Sequence, residues 1–508
     1  MSSNHFDLVI IGSGAGGGTL AHAVAGSGAR ILVVERGDFV PQEEENWSPE
    51  AVWRDLRYRA DDWWVDGATG GRFRPYTHYC VGGNTKFWGS VLLRLRPEDF
   101  RAIEHVDGVS PEWPIDYETL APYYERAERL FSVRGQHGID PTEGPRGPYP
   151  HAPVPHAPRI SAIVEQLEAR GLHPFPLPLG LLSHCELCAT CNSFPCRILA
   201  KSDAHVCGID RAVGRDVELW TGSYAVRLDT DASGSRVRSA LIDRRGEQVR
   251  VEAPLFAVSC GAVNSAALLL RSASSSHPNG LGNSSGLVGR RYMAHLATMM
   301  ECIYLFRKND TRFQKTVGIN DYYLPGPHGR YPLGQIQSQG RVNGVQAKYG
   351  APARYQKAPW TWLPQAWWHG AVDRGVDWLV MTEDLPHDEN RVTVDGDGRI
   401  HLTYQPSNRT AHRALIKETK RILRTPEPHT WVTASFGSGN TTHQCGTLCF
   451  GTDPRRSVLD PFCRSHDLAN LFVVDASFFP SSAAVNPGLT IIAQALRTAD
   501  HIKATEFR

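Results

Sequence analysis

Residues 6–37, FDLVIIGSGAGGGTLAHAVAGSGARILVVERG, decide the fold of this chain. Phe6 to Ile11 is an unbroken apolar run, the pattern of a parallel strand buried on both faces. It feeds into Gly12, Gly14 and Gly17, spaced as G-x-G-x-x-G. In a dinucleotide site the first glycine permits the tight turn, the second admits a pyrophosphate to the backbone, and the third lets the next helix pack close to the strand. The helix N-terminus then faces the phosphates. A second apolar run, Ala29 to Val34, ends in Glu35, at the spacing where a carboxylate accepts the ribose hydroxyls. An acid there disfavours a 2′-phosphate and leaves FAD or NAD as the ligand.

The chain has 508 residues, with 54 basic and 53 acidic side chains and a formal net charge of +1. Nucleic acids and anionic membranes are held by clustered excess Lys and Arg, so a small, neutral substrate is the expectation instead. There is no apolar run of about eighteen residues, the length that crosses a bilayer. The N-terminus shows no charged region followed by an apolar stretch and cleavage site, and a soluble, cytoplasmic protein is expected. The eleven cysteines, an odd number without a secretory signal, predict reduced thiols.

Outward from the opening stretch, the chain leaves the nucleotide fold and returns to it. Residues 38–75, rich in Trp, Arg and acids, read as an excursion covering the ligand. In THYCVGGNTKFWGS, residues 77–90, Gly82 and Gly83 allow the backbone to approach a flat ligand. WPIDYETLAPYYERAERLF, residues 113–131, has a helical apolar period, with Pro114 and Asp116 suited to its start. Residues 135–180 are dense in Pro, Gly and His around one helical island at 160–169. They predict a long loop or arm, a lid or oligomer contact rather than a core element. Short strands follow over 217–258, and LFAVSCGAVNSAALLLRS, residues 255–272, is a second strand-to-helix unit that resumes the nucleotide fold.

Residues 290–430 alternate polar and apolar positions, which predicts an antiparallel sheet. They carry Trp360, Trp362, Trp367, Trp368 and Trp378, read either as stacking faces for a sugar ring or as core filling. Residues 471–502 run from a strand ending at Asp475 into a helix, with Asn486 as its cap and Pro487 in its first turn. If that helix points at the pyrimidine end of a flavin, its positive end favours the anionic reduced ring; the alternative is an ordinary capped helix packed on the sheet. His443, in TTHQCGTLCFG, has a polar, Thr-rich setting that makes it a candidate base.

The predicted class is α/β, a Rossmann-like domain interleaved with an α+β substrate-binding domain that carries an antiparallel sheet. The expected division assigns 1–100, 201–290 and 435–508 to the nucleotide-binding domain. Residues 101–200 form an excursion with the Pro-rich arm and a cysteine cluster, and 291–434 the main substrate domain.

Six stretches then carry a resemblance: GSGAGGGTLA with Glu35, VGGNTKFWG, WPIDYETLAPYYERAE, SCGAVNSAALLLRS, VGRRYMAHL, and HQCGT with VDASFFPSSAAVNPGLTIIAQALR. In this order the chain resembles the glucose–methanol–choline (GMC) flavin oxidoreductases, and among them the bacterial branch near pyranose and glycoside oxidases. The resemblance implies FAD. It assigns Gly12, Gly14, Ala15, Gly17, Glu35, Arg36, Gly82, Gly83, Asn84, Trp88, Gly89, Ala225, Cys260, Gly261, Asp475, Ala476, Asn486, Pro487 and Thr490 to the cofactor. It places Ala225 near the adenine, and Asp475 and Ala476 beside the ribityl chain. Phe87 stands where some relatives attach FAD through His, which implies noncovalent binding. His443 falls on the catalytic base and Asn486 on its partner, bracketing the carbinol oxygen.

Cys185, Cys188, Cys191 and Cys196 are spaced C-x2-C-x2-C-x4-C, close to but distinct from the bacterial ferredoxin run. Some flavin dehydrogenases of the resembled family carry an iron–sulfur cluster in this stretch, before Ala200 and Lys201. Iron–sulfur, zinc and metal-free thiols are the three readings, and metal-free is the one adopted for the site. The expected reaction is oxidation of a secondary alcohol of a sugar or glycoside to a ketone by hydride transfer to flavin N5, with oxygen as acceptor. A dehydrogenase passing electrons to a quinone or cytochrome is the first alternative, and a non-redox flavin-bound lyase or scaffold the second. The Pro-rich arm makes a homo-oligomer plausible.

Overall fold

A computed structural model describes residues 5–326, 329–350, 362–437 and 439–507. In chain order, the elements that build the site begin with β1 (Leu8–Ile11), α1 (Ala15–Val24), β2 (Ile31–Val34), α2 (Tyr117–Leu130) and α3 (Pro158–Glu168). They continue with β3 (Val217–Trp220), β4 (Leu255–Val258), α4 (Ala262–Arg271), β5 (Leu296–Tyr304), β6 (Gln335–Ser338) and β7 (Gly375–Thr382). The last are β8 (His429–Ser435), β9 (Leu471–Val473) and α5 (Gly488–Thr505).

Five parallel strands form one sheet in the order β3-β2-β1-β4-β9. Every residue of β1, β2, β4 and β9 is buried, as continuous apolar runs covered on both faces require. Helices α1 and α5 pack against each other on this sheet, and α2 packs on α5. The second unit is a six-stranded antiparallel sheet, β8-β5-β7-β6, extended by Val317–Ile319 and Phe175–Pro176. Alternation along β5 sends Met300, Cys302 and Tyr304 into a core beneath the sheet, while Ala297, Met299, Glu301 and Ile303 face a cavity.

Two expectations change. The Pro-rich interval is not a lid: α3 buries Ile160 and Leu167 completely against the antiparallel sheet, and Phe175–Pro176 is that sheet's edge strand. The helical island expected at 160–169 is present, and its apolar residues at 160, 163, 164 and 167, at helical spacing, make it a core element. The tryptophans split between the two readings. Trp378 is a core residue, Trp367 and Trp368 line the cavity, and Trp362 is 86% exposed. Trp360 lies outside the described residues. Among the described residues no helix is long and apolar enough to cross a membrane.

Candidate active site

One cavity of about 1220 Å³ runs from the ends of β1, β2 and β4 to the open face of the antiparallel sheet. The glycine loop forms its floor. A Cβ at Gly12 would meet the Ser259 carbonyl oxygen at 2.2 Å, and one at Gly17 the Gly12 carbonyl oxygen at 2.0 Å. Both positions are closed by packing. A Cβ at Gly14 would meet nothing within 4 Å, so the start of α1 opens directly on the cavity. A Cβ on Gly83 would lie 3.4 Å from Gly14 Cα, so the second glycine turn seats against the first.

Glu35 fastens this floor. Its Oε2 accepts from Ser13 N at 3.1 Å and Ser13 Oγ at 2.6 Å, and its Oε1 from Gly37 N at 3.0 Å. Ser13 Oγ also receives Gly82 N at 3.0 Å, which ties the two glycine turns together. Burial raises the Glu35 pKa, against these hydrogen bonds. Asp475 does similar work at the other turn, accepting from Gly261 N, Ser265 Oγ, Ser477 N and Ser477 Oγ at 2.5–2.9 Å. Arg36 pairs with Asp62 at 2.7 and 2.8 Å and lies over the Tyr79 and Tyr224 rings.

Of the cofactor residues expected from the sequence, Gly12, Gly14, Ala15, Glu35, Arg36, Gly83, Asn84, Trp88, Gly89, Ala225, Cys260, Gly261, Asp475, Ala476, Asn486 and Pro487 line the cavity. Gly17 and Gly82 stand behind its wall, in packing positions. Thr490 does not reach it, because its Oγ1 is 2.8 Å from the Tyr124 hydroxyl on α2.

At the end of this wall, His443 Nε2 is 3.3 Å from Asn486 Nδ2, and His443 Nδ1 is 3.1 Å from His295 Nδ1. His295 Nε2 is 3.1 Å from the Ser482 carbonyl oxygen. A carbonyl only accepts, so His295 Nε2 carries the proton and its Nδ1 is the lone pair. His443 Nδ1–H donates to that lone pair, which leaves His443 Nε2 as the free base, touched by the Asn486 amide. Burial pushes His443 well below the usual imidazole pKa, and the neighbouring His295 and Lys315 disfavour its protonation as well. Neutral His443 is therefore its resting form. The sequence reading took Asn486 as a helix cap, but α5 begins at Gly488 with Pro487 at the cap position and no side-chain cap. The amide has turned to the histidine instead.

His295 is the residue that sequence reasoning missed. It stands in the VGRRYMAHL stretch, where a histidine ahead of a strand has no local mark of function.

The four clustered cysteines, Cys185, Cys188, Cys191 and Cys196, line a separate small cavity with Trp47 and Phe313. No group of three or more His, Cys, Asp or Glu side chains among the described residues is arranged to hold a metal ion. Lys201 clamps this loop by donating to the carbonyls of Lys86, Trp88, Cys191 and Phe194 at 2.7–3.2 Å.

The residues present fit a dinucleotide cofactor. His78 Nε2, Trp88 Nε1, Gln444 Oε1 and Asn486 Oδ1 are buried around the cavity and, among the described residues, have no hydrogen-bond partner. Each such group costs about 1–3 kcal/mol until a ligand satisfies it. With an open helix start at one end and a neutral base at the other, fold and site define a dinucleotide-dependent oxidoreductase acting on a hydroxyl group.

The comparisons with known proteins agree. Family models described as GMC oxidoreductase match residues 65–297 and 386–495. The chain is 32% identical to the 6'''-hydroxyparomomycin C oxidase of Streptomyces lividus, covering 98% of this chain and 92% of that protein. It is 31% identical to the paromamine 6'-oxidase of Streptomyces fradiae, covering 97% and 90%. Among solved structures, pyridoxine 4-oxidase from Mesorbium loti superimposes with a TM-score of 0.66 at 20% identity, over 97% of this chain and 98% of that one. The chain belongs to the GMC oxidoreductase family. It is accordingly an FAD-dependent oxidoreductase of alcohols or sugars.

Proposed function

We propose that this chain oxidises a secondary hydroxyl of a sugar or glycoside to a ketone, with oxygen as electron acceptor and noncovalently bound FAD. The observation that carries the reading is the Ser482–His295–His443–Asn486 relay at the end of the cavity. His443 Nε2 accepts the hydroxyl proton. Asn486 Nδ2 donates to the same oxygen and fixes its orientation, so that the carbinol hydrogen is presented in one direction. Bound FAD supplies the hydride acceptor. Gly12, Gly14 and Glu35 would hold its nucleotide half, and Trp88, Gly89, Ala476 and Pro487 the half nearer His443. A sugar or glycoside substrate is supported by the relatives named for paromamine and hydroxyparomomycin C oxidation. Further support comes from Trp367 and Trp368 in the cavity wall, which offer ring faces to stack on. Phe87 stands in the glycine-turn motif at the place of covalent attachment, and acid precipitation should release the flavin into the supernatant.

The test is anaerobic bleaching of the flavin by a panel of sugars, glycosides and simple alcohols, followed by peroxide measurement in air. Bleaching by sugars with stoichiometric peroxide supports the reading. Reoxidation only by a quinone or cytochrome replaces oxygen with that acceptor, and no bleaching by any alcohol overturns alcohol oxidation itself.

A further inference from the structure

The cavity face of the antiparallel sheet has an acidic end far from His443. Register places Glu301 on β5 directly opposite Asp377 on β7, and both side chains line the cavity. Like charges set opposite each other on one sheet face destabilise it. Neither carboxylate is in a salt bridge among the described residues. Among the described residues Glu301 Oε1 and Asp377 Oδ1 have no hydrogen-bond partner, whereas Asp377 Oδ2 accepts from Gln314 Nε2 at 2.8 Å and Val342 N at 3.1 Å. Arg341, the cation felt by Asp377, is already paired with Asp373 at 3.2 Å. Lys315, also in the cavity, donates to Asn192 at 2.9 Å.

A second observation is independent of the carboxylates. Gln337 on β6 is 0% exposed and lines the same cavity, and among the described residues neither its Oε1 nor its Nε2 has a partner. It pairs in register with Leu379, two residues along β7 from Asp377, so it flanks the acidic pair on the side nearer His295. The Gln337 amide and the two carboxylates offer several acceptors and one amide donor group at one spot.

Position sets the size of the ligand. His295, directly ahead of β5, touches His443, and Glu301 lies six residues further on in β5, about 20 Å at the strand rise of about 3.3 Å per residue. One sugar ring cannot touch both ends.

We propose that Glu301, Asp377 and Gln337 form a distal subsite for a protonated amine, carried by a substrate of several linked rings whose oxidised hydroxyl lies at His443. The proposal rests on the sugar-oxidation reading and names the substrate class within it. An ammonium group brings three donors and a positive charge, enough to satisfy both orphan carboxylate oxygens and the Gln337 carbonyl. Burial raises both carboxyls above their usual range, and for Glu301 the facing Asp377 charge adds to it. A cation would relieve that repulsion, and a neutral hydroxyl would not.

Titration calorimetry of the holoenzyme with the β-1,4-linked glucosamine trimer and with its N-acetylated counterpart tests this directly, since binding heat needs no turnover. The free-amine trimer should bind at least about 30-fold more tightly, the scale of a charged group with buried partners. In Glu301→Gln and Asp377→Asn, checked for full FAD content, that preference should collapse. Equal affinities in the wild type, no binding of either trimer, or a preference that survives both substitutions would each overturn the subsite. Bleaching by neutral sugars reports on the oxidation reading separately, so the failure of one is distinguishable from the failure of the other.

Discussion

His443 has a φ of +55°, in the left-handed region that a histidine occupies only when its surroundings hold it there. Those surroundings are the His295 ring on one side and the Asn486 amide on the other. His443→Ala should lower the rate of flavin reduction by substrate about 10²–10⁴-fold with FAD content unchanged, read by stopped-flow absorbance. His295 is a positioning residue. His295→Phe removes the acceptor that fixes the tautomer and should lower kcat while moving the acid limb of the pH profile, and His295→Gln should restore part of both. The sign of the pH dependence follows from burial. Because His443 is held below 6.5, its neutral form persists as pH falls through 6.5, and the reduction rate should stay flat there and drop only in stronger acid. A midpoint near 6.5 in the reduction rate would contradict this assignment.

At the scale of the element, the strand–turn–helix of β1 and α1 separates two kinds of glycine. Gly17 is packed on Gly12, so Gly17→Ala must displace the helix, and the protein should lose thermal stability and flavin together. Gly14 faces open space with an ordinary φ of −70°, so Gly14→Ala should fold with its stability near the wild-type value in apoprotein and yet bind FAD poorly. Calorimetric melting with and without added FAD separates the two. The same logic applies to the far helix. Pro487 caps α5, which frees Asn486 to serve His443.

Across the whole molecule, distant intervals are tied by buried polar groups. Lys201, 2% exposed, holds the cysteine loop to the Trp88 segment through four carbonyls. Lys201→Met would leave carbonyls buried without donors, each at a cost of about 1–3 kcal/mol, and a marked fall in Tm is expected in thermal melts. The glycine-loop end of the cavity was legible in the sequence because its determinants are local. Gly12, Gly14, Gly17 and Glu35 lie within one strand–helix–strand unit, where turn sterics and spacing dictate the geometry. The antiparallel sheet was legible from its alternation, and His443 was singled out as a candidate base from its Thr-rich segment. What only the tertiary structure decided is which distant side chains meet. His295 reaches His443 across 148 positions, and Thr490 turns away from the cavity to Tyr124, 366 positions back. The tryptophans divide by element: Trp378 lies in the core on β7, whereas Trp367 and Trp368 reach the cavity from the helix Gln365–Val372. Glu301 and Asp377 look like ordinary polar positions in two alternating strands until pairing sets them face to face. Local sterics and periodicity are written in neighbouring residues, whereas register and long-range packing are settled only when the whole chain closes on its core.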